Sequence, residues 1–157
     1  HYTIAEAEEK IALLRRFFDH PAITCDIITG FPQESDEEFE ETRRFLEWGG
    51  FTNTNIFKYS RRKGTAADRM KGQLTDAVKS KRSDILIAES DERKLKFMKY
   101  YAGRTVSVLT EDTEEMDGQV WSVGFTPEYV KVYLPKMQSG KITEILCFDA
   151  GCVIIGK

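Results

Sequence analysis

The chain is short of cysteine, has no long apolar run and shows little imbalance of charge: 157 residues carry three cysteines and a net charge of −3. Cys25, Cys147 and Cys152 form an odd and scattered set, which excludes a disulfide framework and offers no close cluster for a metal. Cys147 and Cys152 read as strand residues on either side of a turn. No apolar stretch approaches the roughly 20 residues of a membrane span, and no signal-peptide pattern opens the chain. A cytoplasmic protein with no membrane partner is therefore expected. The 41% hydrophobic and 31% charged side chains exclude a disordered chain and suit one or two small domains.

The small net charge hides a segregation. Residues 1–57 hold 5 basic and 12 acidic side chains, net −7, whereas 58–71 hold 6 and 1, net +5. Residues 103–157 hold 5 and 8, net −3. Positive charge thus gathers in one loop, through Lys58, Arg61, Arg62, Lys63, Arg69 and Lys71. Such a loop either attracts a phosphate-bearing ligand or simply solvates a surface turn.

Thr3 and Glu6, three residues apart, have capping-box spacing, and Ile4, Ala7, Ile11, Leu14 and Phe18 follow at helical intervals. His20-Pro21 ends that helix. Residues 23–29 then read as an apolar strand buried on both faces, with Asp26 as its oddity: a carboxylate there needs a buried partner or a view into a ligand-filled interior. Ser35 and Glu38 open a second helix that Gly49-Gly50 stops, and a second strand runs from 53 to 59. Helix and strand alternate over short connections, which implies parallel pairing and places the Gly30-Phe31-Pro32 loop and the Tyr59-Ser60-Arg61 loop together at the carboxyl ends of neighbouring strands. Two parallel strands cannot cover their own faces or edges, and the chain begins at His1, not methionine. Both features predict a fragment whose amino-terminal strands are missing.

A long polar helix is expected from 76 to 101, capped by Thr75 and ended by Gly103, as a connector. From Arg104 the hydrophobic period becomes two. Five short strands, an Asp117-Gly118 turn and a 136–140 loop predict a small antiparallel barrel of the oligonucleotide-binding kind. On its middle strand Tyr129, Lys131 and Tyr133 form an outward row that either stacks bases and holds a phosphate or is an ordinary solvated face.

The run DIITGFPQES at 26–35 and the run YSRRKGT at 59–65 resemble, in order and separation, two segments of the radical S-adenosylmethionine methylthiotransferases. VGFTPEYVKV at 123–132 is similar to a segment of the MtaB-type branch, and the final 55 residues look like the family's TRAM domain, an RNA-binding barrel. The sequence departs from the family pattern at Gln33 and Phe125, which stand where the pattern has glycine and histidine. The resemblance implies residues 1–74 as the carboxyl-terminal part of a radical S-adenosylmethionine α/β barrel, 75–102 as a connecting helix and 103–157 as the TRAM domain. It implies an enzyme that methylthiolates threonylcarbamoyladenosine beside the tRNA anticodon, using S-adenosylmethionine and two 4Fe-4S clusters. The cysteine triplets for those clusters are not in this sequence, so the chain alone is expected to be inactive, with no catalytic residue and no metal ligand of its own. Cofactor contact is expected from Asp26, Ile28, Gly30, Phe31, Tyr59, Ser60 and Arg61, and RNA contact from Arg62, Lys63, Tyr129, Lys131 and Tyr133. The other readings are a non-catalytic RNA-binding or assembly module and a methylthiotransferase of the RimO type, acting on a ribosomal protein.

Overall fold

In the computed structural model, residues 3–135, 140–149 and 154–156 are described; His1, Tyr2, Cys152 and most of the 136–140 loop lie outside them. The chain divides into two compact units, His1–Lys94 and Leu95–Lys157.

The first unit begins with α1 (Ile4–Phe17), whose capping box is fully formed: the Thr3 side chain accepts from the Glu6 amide and the Glu6 carboxylate accepts from the Thr3 amide. β1 (Thr24–Thr29) leads to α2 (Asp36–Gly49), opened by the second reciprocal box of Ser35 and Glu38 and closed by left-handed Gly50. β2 (Asn53–Lys58) pairs with β1 in parallel, with Asp26 opposite Asn55 and Ile28 opposite Phe57. A single turn, α3 (Ala66–Arg69), precedes the long α4 (Asp76–Lys99). Ile11, Phe39, Leu46, Phe51 and Leu86 form the core, and Cys25, Ile27 and Ile56 turn one face of the sheet onto it.

The other face is open. Burial along β1 alternates strictly, and Ile28 and Phe57 are 60% and 53% exposed. Two-sided burial of this strand, expected from its apolar run, is therefore not what the structure shows. The helices of this unit contribute their core residues to one side only, and a two-stranded sheet brings no further layer.

In the second unit β3 (Thr105–Met116) and β4 (Gln119–Phe125) form a hairpin whose turn residues Asp117 and Gly118 both have positive φ, as a two-residue turn of this kind requires. β5 (Lys131–Leu134), β6 (Ile142–Asp149) and β7 (Ile154–Gly156) complete the order β3-β4-β5-β7-β6, and β6 pairs back onto β3, so the sheet closes on itself. The barrel is not wholly antiparallel, because β5 and β7 run parallel. Val108, Val132, Leu134 and Cys147 are fully buried inside it, with Phe97 and Tyr101 against them. Gly124 lets β4 approach closely: a Cβ there would lie 2.6 Å from the Leu109 carbonyl oxygen.

Candidate functional site

Parallel pairing brings the two loops singled out in the sequence together. Phe31 and Tyr59 meet edge to face, 5.2 Å between ring centroids, and the Tyr59 amide donates to the Thr29 carbonyl at 2.8 Å. The Tyr59 hydroxyl is buried and has no hydrogen-bond partner among the described residues, and Lys79 of α4 holds its ammonium 5.6 Å from the ring centre.

The Gly-Phe-Pro loop is held from below by a carboxylate. Glu34 Oε2 accepts from the amides of Gly30 at 2.7 Å and Phe31 at 3.2 Å, while Oε1 accepts from Arg82 at 2.6 Å. Arg82 also donates to the Glu34 carbonyl at 3.0 Å and to Asp36 at 2.7 Å, and its guanidinium lies over the Phe39 ring. The Arg82 side chain is only 6% exposed. The net effect of Asp36 and Glu34, against the cost of burial, is to raise the Arg82 pKa further. Neither Arg82 nor Glu34 stood out in the sequence, since they are 48 residues apart and nothing local links them.

Gly30 has φ +75, and the space where a side chain would begin is filled by Lys79, whose Cγ would be 2.5 Å from a Cβ. Its glycine serves the turn and that close approach. Gln33, where the family pattern has glycine, also takes a positive φ, +71, and its amide donates to the Gly72 carbonyl at 2.9 Å. A left-handed non-glycine residue costs about 1–2 kcal/mol, and glycine's greater freedom in the unfolded chain returns roughly 0.5–1 of that. Gln33→Gly should accordingly raise stability by about 0.5–1 kcal/mol in urea unfolding; a loss would mean that Gln33 makes contacts worth more than its strain.

Asp26 and Ile28 lie on the open face. Asp26 is exposed and accepts from Asn55 Nδ2 at 2.8 Å, and Asn53 in turn donates to Asn55 at 3.3 Å. A polar chain of two amides and a carboxylate thus runs beside the apolar pair Ile28 and Phe57. In the second loop Ser60, Arg62 and Lys63 are exposed, but Arg61 is engaged: its guanidinium donates to Asp68 Oδ1 at 2.6 Å and to the Asp68 carbonyl at 2.7 Å. The Gly64 amide and Arg61 hold the Asp68 carboxyl below its ordinary range. The basic loop is stapled by its one acidic residue.

In the second unit the expected aromatic and basic row breaks up. Tyr129 does not lie on the strand; it sits in a Thr126–Val130 turn with φ +61, where the Thr126 hydroxyl accepts from the Val130 amide at 3.2 Å. Lys131 is bound to Glu114 at 2.6 Å, and Tyr133 donates to the same carboxylate at 3.0 Å. Bonding to Lys131 lowers the Glu114 pKa, and bonding to Glu114 raises that of Lys131. In this structure Lys131 is thus ion-paired with Glu114, with both side chains still partly exposed.

Among the described residues no three His, Cys, Asp or Glu side chains gather to hold a metal ion, and no helix is long and apolar enough to cross a membrane. Cys25 and Cys147 are free thiols whose pKa is raised by burial.

No family model matches the chain. It is 33% identical, over 96% of its length, to the threonylcarbamoyladenosine tRNA methylthiotransferase MtaB of Bacillus subtilis, of which it covers 34%. The chain belongs to the methylthiotransferase family. It is also 37% identical over 92% of its length to a tRNA-2-methylthio-N(6)-dimethylallyladenosine synthase of Oceanobacillus iheyensis, covering 28% of it. The synthase of the same name from Desulfotalea psychrophila is 40% identical over 76% of the chain, which covers 26% of that protein. The chain thus spans about a quarter to a third of the length of these methylthiotransferases.

Proposed function

We propose that the chain is the carboxyl-terminal part of a cytoplasmic tRNA methylthiotransferase that modifies threonylcarbamoyladenosine beside the anticodon. Its first unit supplies part of the wall of a radical S-adenosylmethionine barrel, and its second unit, a TRAM-like barrel, binds RNA. The observation that carries this reading is the open face of β1 and β2, in a chain similar along 96% of its length to a tRNA methylthiotransferase.

That face suits S-adenosylmethionine, which would supply the radical chemistry. Ile28 and Phe57 offer apolar surface to a flat base and keep water from it. The Asp26–Asn55 pair offers acceptors and amide donors to hydroxyl groups. Phe31 extends the apolar rim, and the exposed Arg62 and Lys63 present charge to phosphate. The donor set does not suit an iron-sulfur cluster, since the described residues bring no three ligands together. The two clusters of such an enzyme belong in this reading to the portion outside this chain, and the chain alone is inactive.

A second reading follows from the relatives from Oceanobacillus and Desulfotalea, whose product is a dimethylallyladenosine derivative. Nucleoside mass spectrometry of tRNA from cells with and without the gene separates the two. Loss of methylthiolated threonylcarbamoyladenosine alone is expected. Loss of the methylthiolated dimethylallyl nucleoside instead would support the second reading. Unchanged tRNA would favour a ribosomal-protein target or a non-catalytic module.

A further inference from the structure

The 58–71 loop of the first unit carries six basic side chains against one acid. That acid is already engaged: the Asp68 carboxylate accepts from Arg61 at 2.6 Å and from the Gly64 amide at 3.1 Å. The other five cations, Lys58, Arg62, Lys63, Arg69 and Lys71, are exposed, and among the described residues none of them is ion-paired. Lys58 donates to the Ser80 hydroxyl at 3.4 Å, a neutral partner that leaves its charge uncompensated. The backbone that presents them is fixed. The Thr65 hydroxyl and amide both donate to the Arg62 carbonyl, at 2.9 and 3.2 Å, and close a turn around Arg62 and Lys63. The Gln73 side chain donates to the Ala67 and Met70 carbonyls at 2.9 and 3.0 Å, and the Gly72 carbonyl accepts from the Gln33 amide. A loop ordered before its ligand arrives loses less freedom on binding.

Several uncompensated cations on one ordered loop suit a ligand that carries several negative charges in a row. Arginine offers a planar fork and lysine a point charge, and both suit phosphate oxygens. Asp76, the next acid along the chain, accepts from Lys79 at 3.3 Å and so bears on that lysine first. Residues 103–157, by contrast, carry net −3, and Lys131 there is ion-paired with Glu114. Resting on the tRNA reading above, we propose that the 58–71 loop grips the sugar–phosphate backbone of the tRNA, so that the first unit holds RNA as well as the barrel. Each phosphate neutralised releases counterions and steepens the fall of log affinity with log salt by about 0.7–0.9.

The test measures tRNA binding by the whole chain, by fluorescence anisotropy across a salt series. The double variant Arg62→Gln, Lys63→Gln should lower the salt slope by about 1.4–1.8, which weakens binding roughly 25- to 60-fold at about 0.1 M salt and little near 1 M. Urea unfolding should be unchanged, because both side chains are exposed. Arg62→Lys, Lys63→Arg keeps both charges and should keep the slope. Lys10→Gln, Arg16→Gln makes the same charge change on the exposed side of α1 and should leave the slope as it is. An equal drop from the α1 variant would make overall charge the cause and overturn the loop. A slope indifferent to the loop variant overturns the loop and leaves the tRNA reading standing. A wild-type chain that does not bind tRNA also overturns the loop, while nucleoside mass spectrometry still decides the tRNA reading. A salt-sensitive dimer in sedimentation that the loop variant dissolves would seat the loop on the acidic residues of a second copy and overturn the proposal.

Discussion

Arg82→Met should cost the first unit about 3–5 kcal/mol, a large share of the roughly 5–15 kcal/mol that holds a domain folded. The side chain removed is 6% exposed and the Glu34 carboxylate left behind is 15% exposed, so water cannot replace the lost partner freely. Methionine keeps most of the apolar packing against Phe39, which confines the loss to the charge and its hydrogen bonds. Asp36 weighs little in this estimate, since its side chain is 92% exposed and its bond to Arg82 is screened. Glu34 also carries the Gly30 and Phe31 amides, so the loop should loosen together with the clamp. Urea unfolding of the chain measures the cost, and amide hydrogen exchange at Gly30 and Phe31 locates it. A loss under about 1 kcal/mol with unchanged exchange would mean that the clamp behaves as a surface ion pair. The double variant Arg82→Met, Glu34→Gln should lose less than the two single losses added, because the two side chains share bonds.

What the sequence made legible was local. Thr3 with Glu6 and Ser35 with Glu38 mark helix starts because each box closes within one turn, and all four capping bonds form. The parallel pairing of β1 and β2 followed from short connections through a helix. The relations that fix the site are long-range and left no local pattern. Arg82 reaches the loop residue Glu34 from α4, Lys79 fills the space over Gly30, and Glu114 of β3 takes Lys131 of β5 from two strands away. Alternation from Tyr129 to Tyr133 suggested one continuous strand face, but the bonds of Thr126 turn the chain before the strand begins at Lys131. Asp68 was counted as the lone acid of a basic loop; its three partners, Arg61, Gly64 and the Thr65 hydroxyl, make it the residue that shapes that loop.

The open face of the sheet gives the second large effect. Ile28 is 60% exposed in this chain, so Ile28→Ala should change the chain's own stability by no more than about 0.5 kcal/mol. If the face borders S-adenosylmethionine in the full-length protein, the same side chain becomes buried against the cofactor. Losing that burial costs about 1.5–3 kcal/mol, which is roughly a 10- to 100-fold weaker affinity. Phe57 lies opposite Ile28 in the register, and Phe57→Ala should act in the same direction.

Equilibrium dialysis of S-adenosylmethionine against full-length protein, wild type and Ile28→Ala at equal iron content, tests this assignment most directly. The assignment predicts that loss of affinity while urea unfolding of the 157-residue chain is unaltered. Affinity unchanged within twofold would contradict it and move the cofactor away from the β1–β2 face.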